Sequence, residues 1–89
     1  MEIRFSENLL KDLAKLRVKQ NLLFRKIDKA ISVFREDPRH RSLRLHKLEG
    51  ALQDRWSLSV GMNFRMIFVW TEDEAYFFDM GTHDEVYKK

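Results

Sequence analysis

The chain has 89 residues, enough for a single domain over 1–89 that buries roughly 60 to 65% of its unfolded surface. Its 44% hydrophobic and 12% aromatic content excludes a disordered segment, and the lack of cysteine excludes disulfides and thiolate metal sites. Lys and Arg number 17 against 14 Asp and Glu, and this net charge of +3 does not by itself announce a nucleic-acid binder.

The start, Met1-Glu2-Ile3-Arg4-Phe5, has no signal-peptide core, and no apolar run approaches the roughly 20 residues of a membrane span. A cytoplasmic protein without membrane contact is expected. Ile3 to Phe5 reads as a strand, after which Ser6 is placed as an N-cap, with Phe5 and Leu10 as the pair of a hydrophobic staple. Leu9, Leu10, Leu13, Ala14 and Leu16 predict an amphipathic helix to about Arg17. Beyond the polar break Val18-Lys19-Gln20-Asn21, Asn21 offers a second cap, and Leu23, Phe24, Ile27, Ala30, Ile31 and Phe34 recur at helical spacing. Asp37-Pro38 stops this helix, because the residue before a proline is pushed out of the helical region. The two helices form a hairpin.

Between Arg35 and Lys47 the chain packs Arg35, Arg39, Arg41, Arg44 and Lys47 with His40 and His46, while acids gather at Glu72-Asp73-Glu74 and Asp84-Glu85. The basic run reads equally as a solvated connector or as a binding patch for an RNA backbone or an acidic protein, since arginine forks pair bidentately with phosphate.

From Leu43 the pattern alternates. Leu43, Leu45 and Leu48 point one way and Arg44 and His46 the other; Gly50 then turns the chain, and Trp56, Leu58 and Val60 oppose Arg55, Ser57 and Ser59. Gly61-Met62-Asn63 reads as a hairpin connection to a strand Phe64 to Trp70, followed by a turn over Thr71-Glu72-Asp73-Glu74 and a last strand from Ala75 to Met80. The predicted architecture is α+β, an N-terminal strand and helix hairpin packed on a mainly antiparallel four- to five-stranded sheet. Phe64, Met66, Phe68 and Trp70 face the helices, which leaves an uncovered, cationic face bearing Arg55, Ser57, Ser59 and Arg65 that is suited to a ligand.

No glycine-rich phosphate loop is present, and His40, His46 and His83 lack ligand spacing, so no metal and no cofactor are expected. Two features carry chemistry. The tail Gly81-Thr82-His83-Asp84-Glu85-Val86-Tyr87 sets an imidazole and a phenol just past a strand, and histidine is the side chain that exchanges protons most readily near neutrality. Arg65 interrupts an apolar strand with a permanent cation that could serve phosphate or pair with Asp79. Together they suggest phosphodiester chemistry.

The order of elements, with Leu45-His46-Lys47-Leu48-Glu49-Gly50, Trp56-Ser57-Leu58-Ser59-Val60, Asn63-Phe64-Arg65-Met66-Ile67-Phe68 and the closing Gly-Thr-His-Asp-Glu-Val-Tyr, resembles the RelE/ParE superfamily of bacterial type II toxins. The resemblance implies a metal-independent messenger-RNA interferase, acting on mRNA in the ribosomal A site and held in a hetero-oligomer by a cognate antitoxin. It implies that Arg65 stabilises the phosphorane, that His83 protonates the leaving oxygen, that Tyr87 orients the phosphate or stacks on a base, and that His46 assists as base or phosphate contact. Arg44, Lys47, Arg55, Ser57 and Ser59 become RNA contacts. The chain departs from the family at Arg55-Trp56-Ser57-Leu58-Ser59, where active members often carry Lys, His or Glu, and at Asn63, near which they carry an acid. That departure keeps two alternatives open, a gyrase inhibitor of the ParE kind and a catalytically weak protein-binding module.

Overall fold

The computed structural model describes residues 1–50 and 54–87. In chain order the elements are β1 (Glu2–Phe5), α1 (Glu7–Lys19), α2 (Asn21–Glu36), a 3-10 turn (Arg41–Leu43), β2 (His46–Lys47), β3 (Arg55–Val60), β4 (Phe64–Trp70), β5 (Glu74–Thr82) and α3 (His83–Tyr87). The sheet runs β1-β5-β4-β3-β2, with β1 parallel to β5 and the other pairings antiparallel. This is the expected α+β architecture. No helix among the described residues is long and apolar enough to cross a membrane.

The helix hairpin covers one face of the sheet because its apolar stripe has nowhere else to go. Leu9 from α1 and Ile27, Ile31 and Phe34 from α2 meet Leu58, Val60, Met66, Phe68, Ala75 and Phe77, with Leu43 closing the end. Phe34 is fully buried, its ring edge-on to Phe68 at 5.1 Å and to Phe77 at 5.8 Å between centroids.

Several local expectations need correction. Ser6 does cap α1, its Oγ accepting from Leu9 N at 3.1 Å, but Leu10 is 52% exposed and forms no staple. The stripe of α1 is Leu9, Leu13 and Leu16; Leu10 and Ala14 fall outside it, and Phe5 instead stacks on Phe77 at 5.6 Å. Helix α1 also runs on to Lys19, two residues past the expected end. Asn21 is the first residue of α2, not its cap, and its Nδ2 donates back to the Arg17 carbonyl at 3.1 Å, closing the end of α1. The expected strand from Leu43 is interrupted because Arg44 takes a left-handed conformation at φ 44, so extended pairing is confined to His46 and Lys47. Gly61 reaches φ 67 in the β3–β4 hairpin, a backbone setting that L side chains rarely adopt.

The sheet's second face is not open as expected. Ser57, Ser59 and Ile67 on that face are 0%, 7% and 3% exposed. Strand β5 moreover carries an extra residue: Ile67 pairs with Asp79 and Phe68 with Phe77, so Phe78 is bulged. Strict alternation from the buried Ala75 and Phe77 would turn Asp79 into the core. The bulge reverses the parity, sending Asp79 to the opposite face and returning Met80 to the core side.

Candidate active site

The second face acquires its cover from the chain's last helix, and local chemistry explains why that helix starts where it does. Thr82 is its N-cap: Thr82 Oγ1 accepts from Glu85 N at 3.3 Å, and Glu85 Oε1 accepts from Thr82 N at 2.7 Å, a reciprocal capping box. Gly81 allows the close approach beneath it, since a Cβ there would lie a tight 3.0 Å from Glu85 Cβ. The turn is tied to the sheet by His83 N donating to Asn63 O at 3.3 Å. His83 and Tyr87 are then one helical turn apart on one face, their rings edge-to-face at 4.4 Å.

Tyr87 spans the sheet from there, its hydroxyl donating to Ser57 Oγ at 2.7 Å. The same Ser57 Oγ accepts from Arg65 Nε at 3.0 Å, Ser59 Oγ accepts from Arg65 Nη1 at 2.7 Å, and the Arg44 carbonyl accepts from Arg65 Nη2 at 2.8 Å. These bonds engage three of the guanidinium's five N–H donors with neutral oxygens, which fixes the group without neutralising it. The left-handed turn at Arg44 is what aims that carbonyl at the strand. His83 is highly exposed and lies 3.7 Å from Asp84 through Nδ1 and Oδ1.

These groups border one open cavity of about 820 Å³, which is lined by Arg44, His46, Arg55, Arg65, His83 and Tyr87 among the expected residues. His46 enters from β2, in register with Ser57 on the neighbouring strand. Arg55 lies over the Phe78 ring at 5.3 Å.

Three expected RNA contacts are placed otherwise. Ser57 and Ser59 are buried and hold Arg65, so they act on a ligand only through it. Lys47 follows His46 on an extended strand and therefore points to the other face, ion-paired with Asp54 at 3.3 Å and 6.0 Å from the Trp56 ring centre. Arg39 joins it there, over Trp70 at 5.0 Å and Trp56 at 5.8 Å, so the basic run divides between two surfaces. Arg65 pairs through neutral oxygens in these bonds, although Asp79 also lines the cavity.

No family model matches the chain, and no curated protein is similar in sequence. Solved structures do match along nearly the whole length. A chain of the Escherichia coli DinJ–YafQ toxin–antitoxin complex superposes with TM-score 0.77 at 22% identity, covering 97% of this chain and 96% of that one. The YoeB/ParE toxin from Agrobacterium tumefaciens gives TM-score 0.75 at 14% identity, covering 93% and 99%. The archaeal RelE–RelB complex from Pyrococcus horikoshii OT3 gives 0.69 at 18%, covering 91% and 92%.

The fold is RelE-like. Within this RelE-like fold the cavity is also lined by residues not expected at the site, among them Glu49, Phe78 and Asp79. Glu49 belongs to the segment Leu45 to Gly50 that carries the family resemblance, and Thr82-x-x-Glu85 is a capping-box pattern in the sequence. Asp79 was foreseen only as a possible partner of Arg65, and Phe78 had no signal, because adjacent strand residues normally face opposite ways and the bulge brings both to one cavity.

Proposed function

We propose that this chain is the toxin of a type II toxin–antitoxin pair and cleaves mRNA in the ribosomal A site without a metal. The observation that carries this reading is the link Arg65–Ser57–Tyr87, with His83 against Tyr87, at the edge of one cavity. A cation, an imidazole and a phenol held on rigid strands and a capped helix are the parts that RNA transesterification needs.

In this mechanism the 2′-oxygen attacks the adjacent phosphorus, the O2′–P bond forms and the P–O5′ bond breaks. Arg65 stabilises the charge that accumulates on the phosphoryl oxygens, and its pre-set guanidinium needs no reorganisation to do so. His83, protonated, delivers a proton to the departing 5′-oxygen. His46 takes the proton of the 2′-hydroxyl: β2 and β5 flank β3 and β4 on opposite sides, so the two imidazoles approach Arg65 from opposite directions, as in-line displacement requires. Products are a 2′,3′-cyclic phosphate and a 5′-hydroxyl. Tyr87 orients Ser57 and Arg65 and offers its ring to a base. The antitoxin is a protein that covers this cationic cavity, and the matching toxin–antitoxin complexes support a partner of that kind.

Mapping the ends of cellular mRNA after induction tests the reading. Codon-phased cuts are expected with the unaltered chain and not with Arg65→Ala. Intact transcripts accompanied by double-strand DNA breaks would replace this reading with gyrase inhibition.

A further inference from the structure

Arg44, at φ 44 and ψ 55, is the one non-glycine residue at positive φ among the described residues, a setting that an L side chain keeps only where its surroundings impose it. The setting directs its carbonyl to Arg65 Nη2 at 2.8 Å. Two residues further on, His46 opens β2 opposite Ser57. One turn thus delivers a backbone acceptor to the cation and an imidazole to the same cavity.

The turn is pinned at its middle by Leu43, 1% exposed in the core, and at its far end by Arg44 N donating to the Arg41 carbonyl at 3.1 Å. Its near end is held by His40. Ser42 N donates to His40 Nδ1 at 3.1 Å, Ser42 Oγ lies 2.7 Å from the same nitrogen, and Leu43 N donates to the His40 carbonyl at 3.1 Å. An amide N–H only donates, so Nδ1 is the accepting nitrogen and the ring proton sits on Nε2. The imidazole takes the place of the Ser, Thr, Asp or Asn that usually caps a helical turn.

We propose that His40 is a positioning residue for RNA cleavage: by capping the turn Arg41–Leu43 it keeps Arg44 left-handed, and so keeps the Arg65 guanidinium aimed at the phosphoryl group. His40 is not among the residues that line the cavity, so it acts through the backbone. The inference rests on the ribonucleolytic reading for the reaction served, whereas the hydrogen bonds that lead from His40 to Arg65 stand without it. When the cap is removed, Ser42 N loses its acceptor, but the buried Leu43 still holds the turn to the core and the chain stays folded. Arg44 then relaxes toward negative φ, its carbonyl leaves Nη2, and Arg65 is left with Ser57 and Ser59. A guanidinium that must reorganise during the reaction stabilises the developing charge less well.

Three substitutions separate this role from general packing. His40→Asn puts an amide oxygen close to the place of Nδ1 and is a preferred cap, His40→Gln puts its amide near the place of Nε2 and overshoots Ser42 N, and His40→Ala has no acceptor. His40→Ala and His40→Gln should lower kcat on ribosome-bound mRNA by about 2- to 30-fold, the factor to which the usual contribution of a cap corresponds, with KM unchanged. His40→Asn should restore kcat. In NMR spectra of the full chain without RNA, the Arg65 Nη2 resonance should move toward that of a solvated guanidinium in His40→Ala and His40→Gln and keep its position in His40→Asn. An Arg65 resonance indifferent to His40→Ala, or a His40→Gln variant as active as His40→Asn, overturns the inference. An Arg65 resonance that responds as expected, in a chain that cuts no ribosome-bound mRNA, retains the link from His40 to Arg65 and overturns the ribonuclease.

Discussion

At the residue scale, the site is organised around one buried hydroxyl. Ser57 is fully buried and receives both Arg65 and Tyr87, so a residue expected to touch RNA instead joins those two side chains. Ser57→Ala removes the acceptor of two hydrogen bonds; it should cost about 1–3 kcal/mol of stability, read from denaturant midpoints, and lower kcat with little change in KM. Arg65→Ala should lose about 10²- to 10³-fold in single-turnover cleavage, the usual cost of one charge-stabilising donor, while near-native melting shows that the fold persists. A variant still cutting at full rate would remove Arg65 from the chemistry. The separation of Lys47 from His46 supplies a further contrast. Lys47→Ala should leave the cleavage rate unchanged, whereas Arg55→Ala should raise KM, because only Arg55 lines the cavity.

At the element scale, α3 is a five-residue helix that cannot persist by its own propensity. It is held by the Thr82–Glu85 box, by the close approach over Gly81 and by the bond from Tyr87 to Ser57. Thr82→Ala is expected to cost about 0.5–2 kcal/mol and to speed amide exchange in 83–87 more than elsewhere in the molecule. Uniform exchange across the chain would mean that the box does not govern this helix. In α1, Leu10→Ala should change stability by no more than about 0.5 kcal/mol, since Leu10 is outside the packed stripe, while Phe34→Ala in α2 should cost about 3–5 kcal/mol. Comparing the two midpoints checks that the core is where the packing places it.

At the scale of the whole molecule, the sheet separates two surfaces. One carries the helix hairpin and, at its edge, Trp56 and Trp70 under Arg39; the other carries the cavity. Hydrophobic period, turn residues and the Asp37-Pro38 stop were enough to give the N-terminal strand, the helix hairpin, the meander and the sheet face that the helices cover, because each of these depends on neighbours within a few residues, whereas the 3-10 turn at Arg41–Leu43 and helix α3 were not foreseen. His83, Tyr87 and Arg65 stood out as candidates for the same reason, being polar groups within or just past apolar strands in the sequence. Convergence was not legible. That Arg44 would bend to offer its carbonyl to Arg65, that Ser57 would be buried, and that Phe78 and Asp79 would share a cavity all depend on register between strands remote in sequence. Local sequence determines which face a side chain takes only while strict alternation holds, and a single bulge, visible only in the register between two strands, reverses it.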